Sequence, residues 1–143
     1  MVSVILGQSK EVSELVGEEL PPGATFELSQ EFYFEAAHTL ERDYETVSSR
    51  TTHGHTYYGR LTLTGDPTEF SGMVIDLAAL RFEVESIKKL LDHKLLNDIE
   101  GLGRPTLENI CKFVWSKTTF QLTISEIEIW RLPSGDRCKL KLR

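Results

Sequence analysis

Cysteine is scarce. Cys111 and Cys138 are the only two in 143 residues, and they form neither a CxxC pair nor the dense framework that staples small secreted domains. They are expected as packed or free thiols in a reducing compartment. Long apolar runs are missing too, since no stretch approaches the ~20 residues needed to span a bilayer. The apolar piece at residues 2–6 has no basic flank and no small-residue cleavage site, so no secretory signal and a cytoplasmic location are expected. Basic charge is in deficit: 16 Lys and Arg against 22 Asp and Glu leave a net charge of -6. That speaks against nucleic acid or an anionic membrane as the main partner, because either calls for a basic face. Histidine is also sparse, with 4 in the chain, so their placement is informative.

What is present is ordinary for a globular chain: 40% apolar and 27% charged residues. The length fits one domain that buries about two thirds of its unfolded surface. Residues 1–24 differ from the rest. A short apolar piece leads into the acidic, helix-prone SKEVSELVGEEL, and Pro21-Pro22-Gly23 then breaks the chain, which reads as an N-terminal extension before a domain over residues 25–143. From Thr25 the pattern has period two. Phe26, Leu28, Phe32, Phe34 and Ala36 fall on one face and Glu27, Ser29, Glu31 and Glu35 on the other, predicting a long half-buried strand. A second strand spans about residues 53–64. Helical period follows: Asp76 is an N-cap for Leu77, Leu80, Val84, Ile87 and Leu91, and Thr106 caps a stripe of Leu107, Ile110, Cys111, Val114 and Trp115. Two short alternating strands close the chain around Ile127–Ile129 and Cys138–Leu142. An α+β fold, a four-stranded antiparallel sheet backed by two helices, satisfies every pattern. Its open edges and charged second face favour closure of several sheets into an oligomeric barrel.

His53-Gly54-His55 places two imidazoles on one side of a strand, and His38 lies on the same face at the end of the preceding strand. Three imidazoles from adjacent strands form a tripod with an open fourth position, the pattern of catalytic zinc. Polar core histidines satisfied by hydrogen bonds fit the same pattern, and the spacing alone leaves both readings open.

The segments FYFEAAHTL, HGHTYYGRLTLTG, GMVIDLAALR, LDHKLLND and RPTLENICKFVW, in this order and spacing, resemble the 6-pyruvoyl-tetrahydropterin synthase and queuosine-pathway 6-carboxytetrahydropterin synthase family over roughly residues 26–143. The resemblance implies a tunnelling fold assembled as a homohexamer, a dimer of trimers with active sites between subunits. It also implies a Zn2+ lyase acting on 7,8-dihydroneopterin triphosphate, with His38, His53 and His55 as metal ligands. By the same resemblance Asp92 and His93 match an acid–base pair contributed by another subunit. Thr106 and Glu108 match a segment lining the pterin pocket. Each match has a plainer reading, respectively a histidine favouring a helix C-terminus and polar residues suited to a helix N-terminus.

Two positions depart from the family pattern. Ser49 stands four residues before His53, where the family has its proton-shuttling cysteine. A thiol is partly ionised near neutrality, whereas a serine hydroxyl needs an adjacent base. A Ser49–His93–Asp92 relay is one way to supply it. Arg131 stands where the family's third strand ends in a pterin-anchoring glutamate. Arginine carries five donors and no acceptor, so it suits a carboxylate, a phosphate or a carbonyl pair instead. Glu128 is close by in sequence but has the opposite strand parity. Three functions follow: a synthase acting on dihydroneopterin triphosphate, the same metal site acting on another pterin or purine-like molecule, or a zinc-bearing binding protein without turnover.

Overall fold

The computed structural model describes residues 19–121 and 123–142. Most of the expected N-terminal extension, residues 1–18, lies outside the described residues. Strand β1 (Phe26–His38) pairs antiparallel with β2 (His53–Gly65) along its whole length, from Phe26 opposite Gly65 to His38 opposite His53. Between them lies α1 (Thr46–Arg50), a five-residue helix that the sequence pattern did not signal because it carries no apolar stripe.

Helix α2 (Leu77–Leu91) starts where the Asp76 carboxylate accepts the Ala78 N–H at 2.8 Å, and it buries Leu80, Val84, Ile87 and Leu91. Leu77, expected in that stripe, is exposed on the first turn. The helix ends at Leu91, with Asp92 extended as its C-cap. His93 then takes the left-handed conformation (φ 58°) and donates its N–H to the Glu35 carbonyl at 2.6 Å. That turn lays the two-residue β3 (Lys94–Leu95) parallel to Ala36 and Ala37 of β1. A 3₁₀ turn (Leu96–Asp98) leads on to α3 (Leu107–Lys117), capped by the Thr106 hydroxyl accepting from the Asn109 N–H at 3.2 Å. Strand β4 (Ile124–Arg131) pairs antiparallel with β2, and β5 (Arg137–Lys141) with β4. The sheet is therefore five-stranded and mixed, in the order β3-β1-β2-β4-β5. It differs from the four antiparallel strands expected only by the short parallel β3.

Phe34, Leu61, Leu63, Ile127 and Ile129 on the helix side of the sheet are fully buried, each contributing roughly 2 kcal/mol of burial free energy. Gly59 sits opposite Phe32 in register, and a Cβ there would fall 2.3 Å from the Phe32 ring, so the glycine lets the ring lie across the strand. The other face has its own order. Tyr58 stacks on Trp130 with centroids 5.8 Å apart, and the guanidinium groups of Arg60 and Arg137 lie over the Trp130 ring. Beneath them Glu128, with no exposed surface, accepts from both Arg60 and Arg137. Among the described residues, no further strand pairs with residues 26–35 of β1 or with the outer side of β5.

Candidate metal centre

His38 is the last residue of β1 and His53 the first of β2, directly opposite in register. His55 follows two residues on, so the pleat directs it to the same side, the side of the buried Tyr57. The Nε2 atoms converge: His38 to His53 is 3.0 Å and His38 to His55 is 3.1 Å. One ligand atom from each of the three lies within 4.8 Å of the others.

The far sides of the rings fix which nitrogen carries the proton. His38 Nδ1 is 3.0 Å from the Pro105 carbonyl, and His53 Nδ1 is 2.7 Å from the Thr51 carbonyl. A carbonyl only accepts, so in both rings Nδ1 is the donor, which leaves Nε2 as the ligand atom of the neutral ring. Burial pushes the His38 pKa down and that of His55 down to about 4, with the Arg131 charge as the second cause at His55. These are neutral imidazoles, the form that binds metal. Lone pairs brought this close repel unless a cation lies between them. Nitrogen donors with orienting carbonyls behind them fit a borderline divalent ion such as zinc.

Arg131 ends β4 opposite Tyr57. Its Nη1 is 3.1 Å from His55 Nε2, its Nη2 donates to Asp136 Oδ2 at 2.5 Å, and its Nε is buried without a partner among the described residues. That hydrogen bond holds the Asp136 carboxyl below the usual carboxylate range. The Tyr57 hydroxyl is 3.4 Å from His38 Nδ1, and burial pushes its pKa up to about 12, so it stays neutral.

Three cavities share this region. The first, about 750 Å³, is lined by the three histidines with Arg42, Ser49 and Arg131. Ser49 is buried there on α1. The second, about 360 Å³, brings Thr106, Glu108 and Arg131 together with His38 and Tyr57. The third, about 600 Å³, lies on the other side of His55 and is lined by His93, Glu35, Gly54 and Thr56. Asp92 accepts the Glu35 N–H at 2.9 Å, and that bond, followed by the His93 interaction, holds its carboxyl below the usual range. His93 Nδ1 is 3.0 Å from Asp92 Oδ2, and its side chain is 77% exposed. Ser49 and His93 line different cavities, which have His55 in common. Glu128 is committed to its two arginines, and its partner in register is Arg60, not Tyr57.

Nothing in the side-chain pattern signals the Thr51 and Pro105 carbonyls, which act through the main chain. Asp136, five residues after Arg131 across a hairpin, was a readable opposite charge that the strand pattern passed over. No signal marked Arg42.

The family model described as 6-pyruvoyl tetrahydropterin synthase matches residues 27–139. A 6-carboxy-5,6,7,8-tetrahydropterin synthase of Synechocystis sp. is 37% identical over 93 residues, 62% of this chain and 70% of that protein. A protein of the same name from Bacillus subtilis is 31% identical over 108 residues, 71% of either chain. The solved structure of Caenorhabditis elegans 6-pyruvoyl tetrahydropterin synthase matches with a TM-score of 0.71 at 23% identity, covering 84% of this chain and 97% of that one. The fold is thus the tunnelling fold, reached here as a single helix-backed sheet. By family match, by relatives and by fold, this chain belongs to the 6-pyruvoyl tetrahydropterin synthase family.

Proposed function

We propose that this chain is a zinc-dependent 6-pyruvoyl/6-carboxy-tetrahydropterin synthase-like lyase acting on 7,8-dihydroneopterin triphosphate or a related pterin. The observation that carries the reading is the convergence of three imidazoles, two of them backed by main-chain carbonyls. Zinc held by His38, His53 and His55 supplies Lewis acidity to substrate hydroxyls. Ser49 lies in the same cavity, where its hydroxyl is the candidate proton carrier. The base that Ser49 needs comes from a neighbouring copy: Asp92 orients His93, whose exposed imidazole is free to reach another subunit. Thr106 and Glu108 line the adjoining cavity as substrate contacts. The edges of β1 over residues 26–35 and of β5, which no strand among the described residues covers, support assembly into a barrel, for which a homohexamer is proposed. No helix among the described residues is long and apolar enough to cross a membrane, in keeping with a cytoplasmic enzyme.

Arg131 favours a second reading, the same metal site serving a different pterin or purine-like substrate, because it cannot accept the hydrogen bonds that a glutamate accepts from an amino-pyrimidine edge. One assay separates the two. The zinc-loaded protein is incubated with dihydroneopterin triphosphate, and release of triphosphate and acetaldehyde is followed. Turnover abolished by Ser49→Ala supports the first reading together with its proton carrier. Absent turnover with one zinc per chain supports the second, and a protein that retains no zinc overturns both.

A further inference from the structure

Arg131 has more donors than partners. Its Nη2 is spent on Asp136, its Nε is buried and unpaired, and its Nη1 is directed at His55 Nε2. The last of these is the nitrogen that the metal reading requires, and a single lone pair serves a guanidinium or a metal, not both. Loading the tripod therefore releases Nη1, leaving Arg131, whose neighbours are then the Asp136 carboxylate and the Tyr57 hydroxyl, with a freed donor beside its buried Nε. The side chain is 16% exposed, where unmet donors are costly. It is not needed to hold the β4–β5 hairpin. The main chain does that through Arg131 N–H to Asp136 O at 2.9 Å and Gly135 N–H to Arg131 O at 3.0 Å. Arg42, a second cation, lines the same cavity.

We propose that Arg131 makes the metal pocket a receptor for an oxyanion of the substrate, a carboxylate or a phosphate, captured beside the metal and coupled to metal loading. The inference rests on the zinc reading of the tripod and specifies what the substrate presents to it. The planar fork of arginine matches two oxygens of either group. Coupling is reciprocal: if zinc frees Arg131 for the anion, the anion tightens zinc by the same factor.

The test is a chelator-competition titration of zinc on the full chain, with and without inorganic phosphate in one arm and acetate in the other. In the wild type at least one anion tightens zinc binding by about fivefold or more, and the better one identifies the oxyanion class. In Arg131→Gln the effect falls below about twofold while zinc still binds, which separates loss of the receptor from loss of folding. Asp136→Asn, which replaces the competing carboxylate by a weaker, neutral acceptor, enlarges the anion effect. Zinc that binds one per chain with equal anion dependence in wild type and Arg131→Gln places the anion on the metal alone and overturns this inference without touching the metal reading. So does zinc binding indifferent to both anions, or an anion effect lost in Asp136→Asn. Failure of zinc to bind overturns both.

Discussion

Two polar clusters lie on opposite faces of the same sheet, and they are built to opposite rules. On the face away from the helices, the Glu128 carboxylate takes both Arg60 and Arg137, and Trp130 lies under both guanidinium groups. Every member of the cluster has a partner: both guanidinium groups bond the one carboxylate, and Arg60 also lies 3.9 Å from Glu31. On the helix side, the Nε2 atoms of His53 and His55 lie 3.0 and 3.1 Å from that of His38, and among the described residues Arg131 has a buried donor unmet. A cluster that closes on itself is architecture, and one that stays open awaits something from outside. Burial alone would have misled, because Glu128 is as buried as His38.

The sharpest way to break this contrast is to remove a member from each side. His38→Ala should weaken zinc binding by roughly a hundredfold or more, since even outer contacts to a ligand are worth 10- to 100-fold. Chelator competition reads this directly, and retained affinity would show that the tripod is not the site. Glu128→Gln should leave zinc affinity within about twofold but cost about 2 kcal/mol of stability in urea denaturation, because a buried acceptor of two charges becomes neutral. A loss of zinc in this variant would mean that the two faces are not independent.

Acid sharpens the comparison further. Burial raises the Glu128 pKa, yet hydrogen bonds from Arg60 and Arg137 outweigh it and leave the carboxyl below its ordinary value. A depressed folded pKa contributes stability that is present above the unfolded pKa and lost as pH falls through the folded one. The stability gap between wild type and Glu128→Gln should therefore be full at neutral pH and shrink below about pH 4, near the usual glutamate value. Urea midpoints measured from pH 7 down to pH 3 check this, and a gap that widened in acid would reverse the sign. The smallest effect is expected at Tyr57→Phe. Its hydroxyl lies 3.4 Å from a His38 Nδ1 already held by Pro105, so zinc affinity should change only about threefold.

Much of this was legible in the sequence. Period-two alternation located β1 and β2, the caps Asp76 and Thr106 marked both main helices, and shared parity put His38, His53 and His55 on one face. The two-residue β3 escaped because its cause is a left-handed His93 whose N–H reaches Glu35, a tertiary contact without periodicity. Helix α1 escaped because its five residues include no apolar stripe. The Glu128 cluster escaped for a different reason. Alternation assigned Glu128 to a wet face, and only the three-dimensional placement of Arg60, Arg137 and Trp130 shows it sealed.

The carbonyls of Thr51 and Pro105 carry a consequence for how such a protein changes over generations. Each belongs to the main chain, so a side-chain replacement at either position leaves the oxygen in place, and the metal centre is sheltered from point mutation on its outer side. Ser49 and Arg131 have no such shelter, since everything they offer is in the side chain. On the proposed function, a lineage can therefore exchange residues 49 and 131 one codon at a time while His38 and His53 stay oriented, and new chemistry can be tried on an inherited centre without rebuilding it.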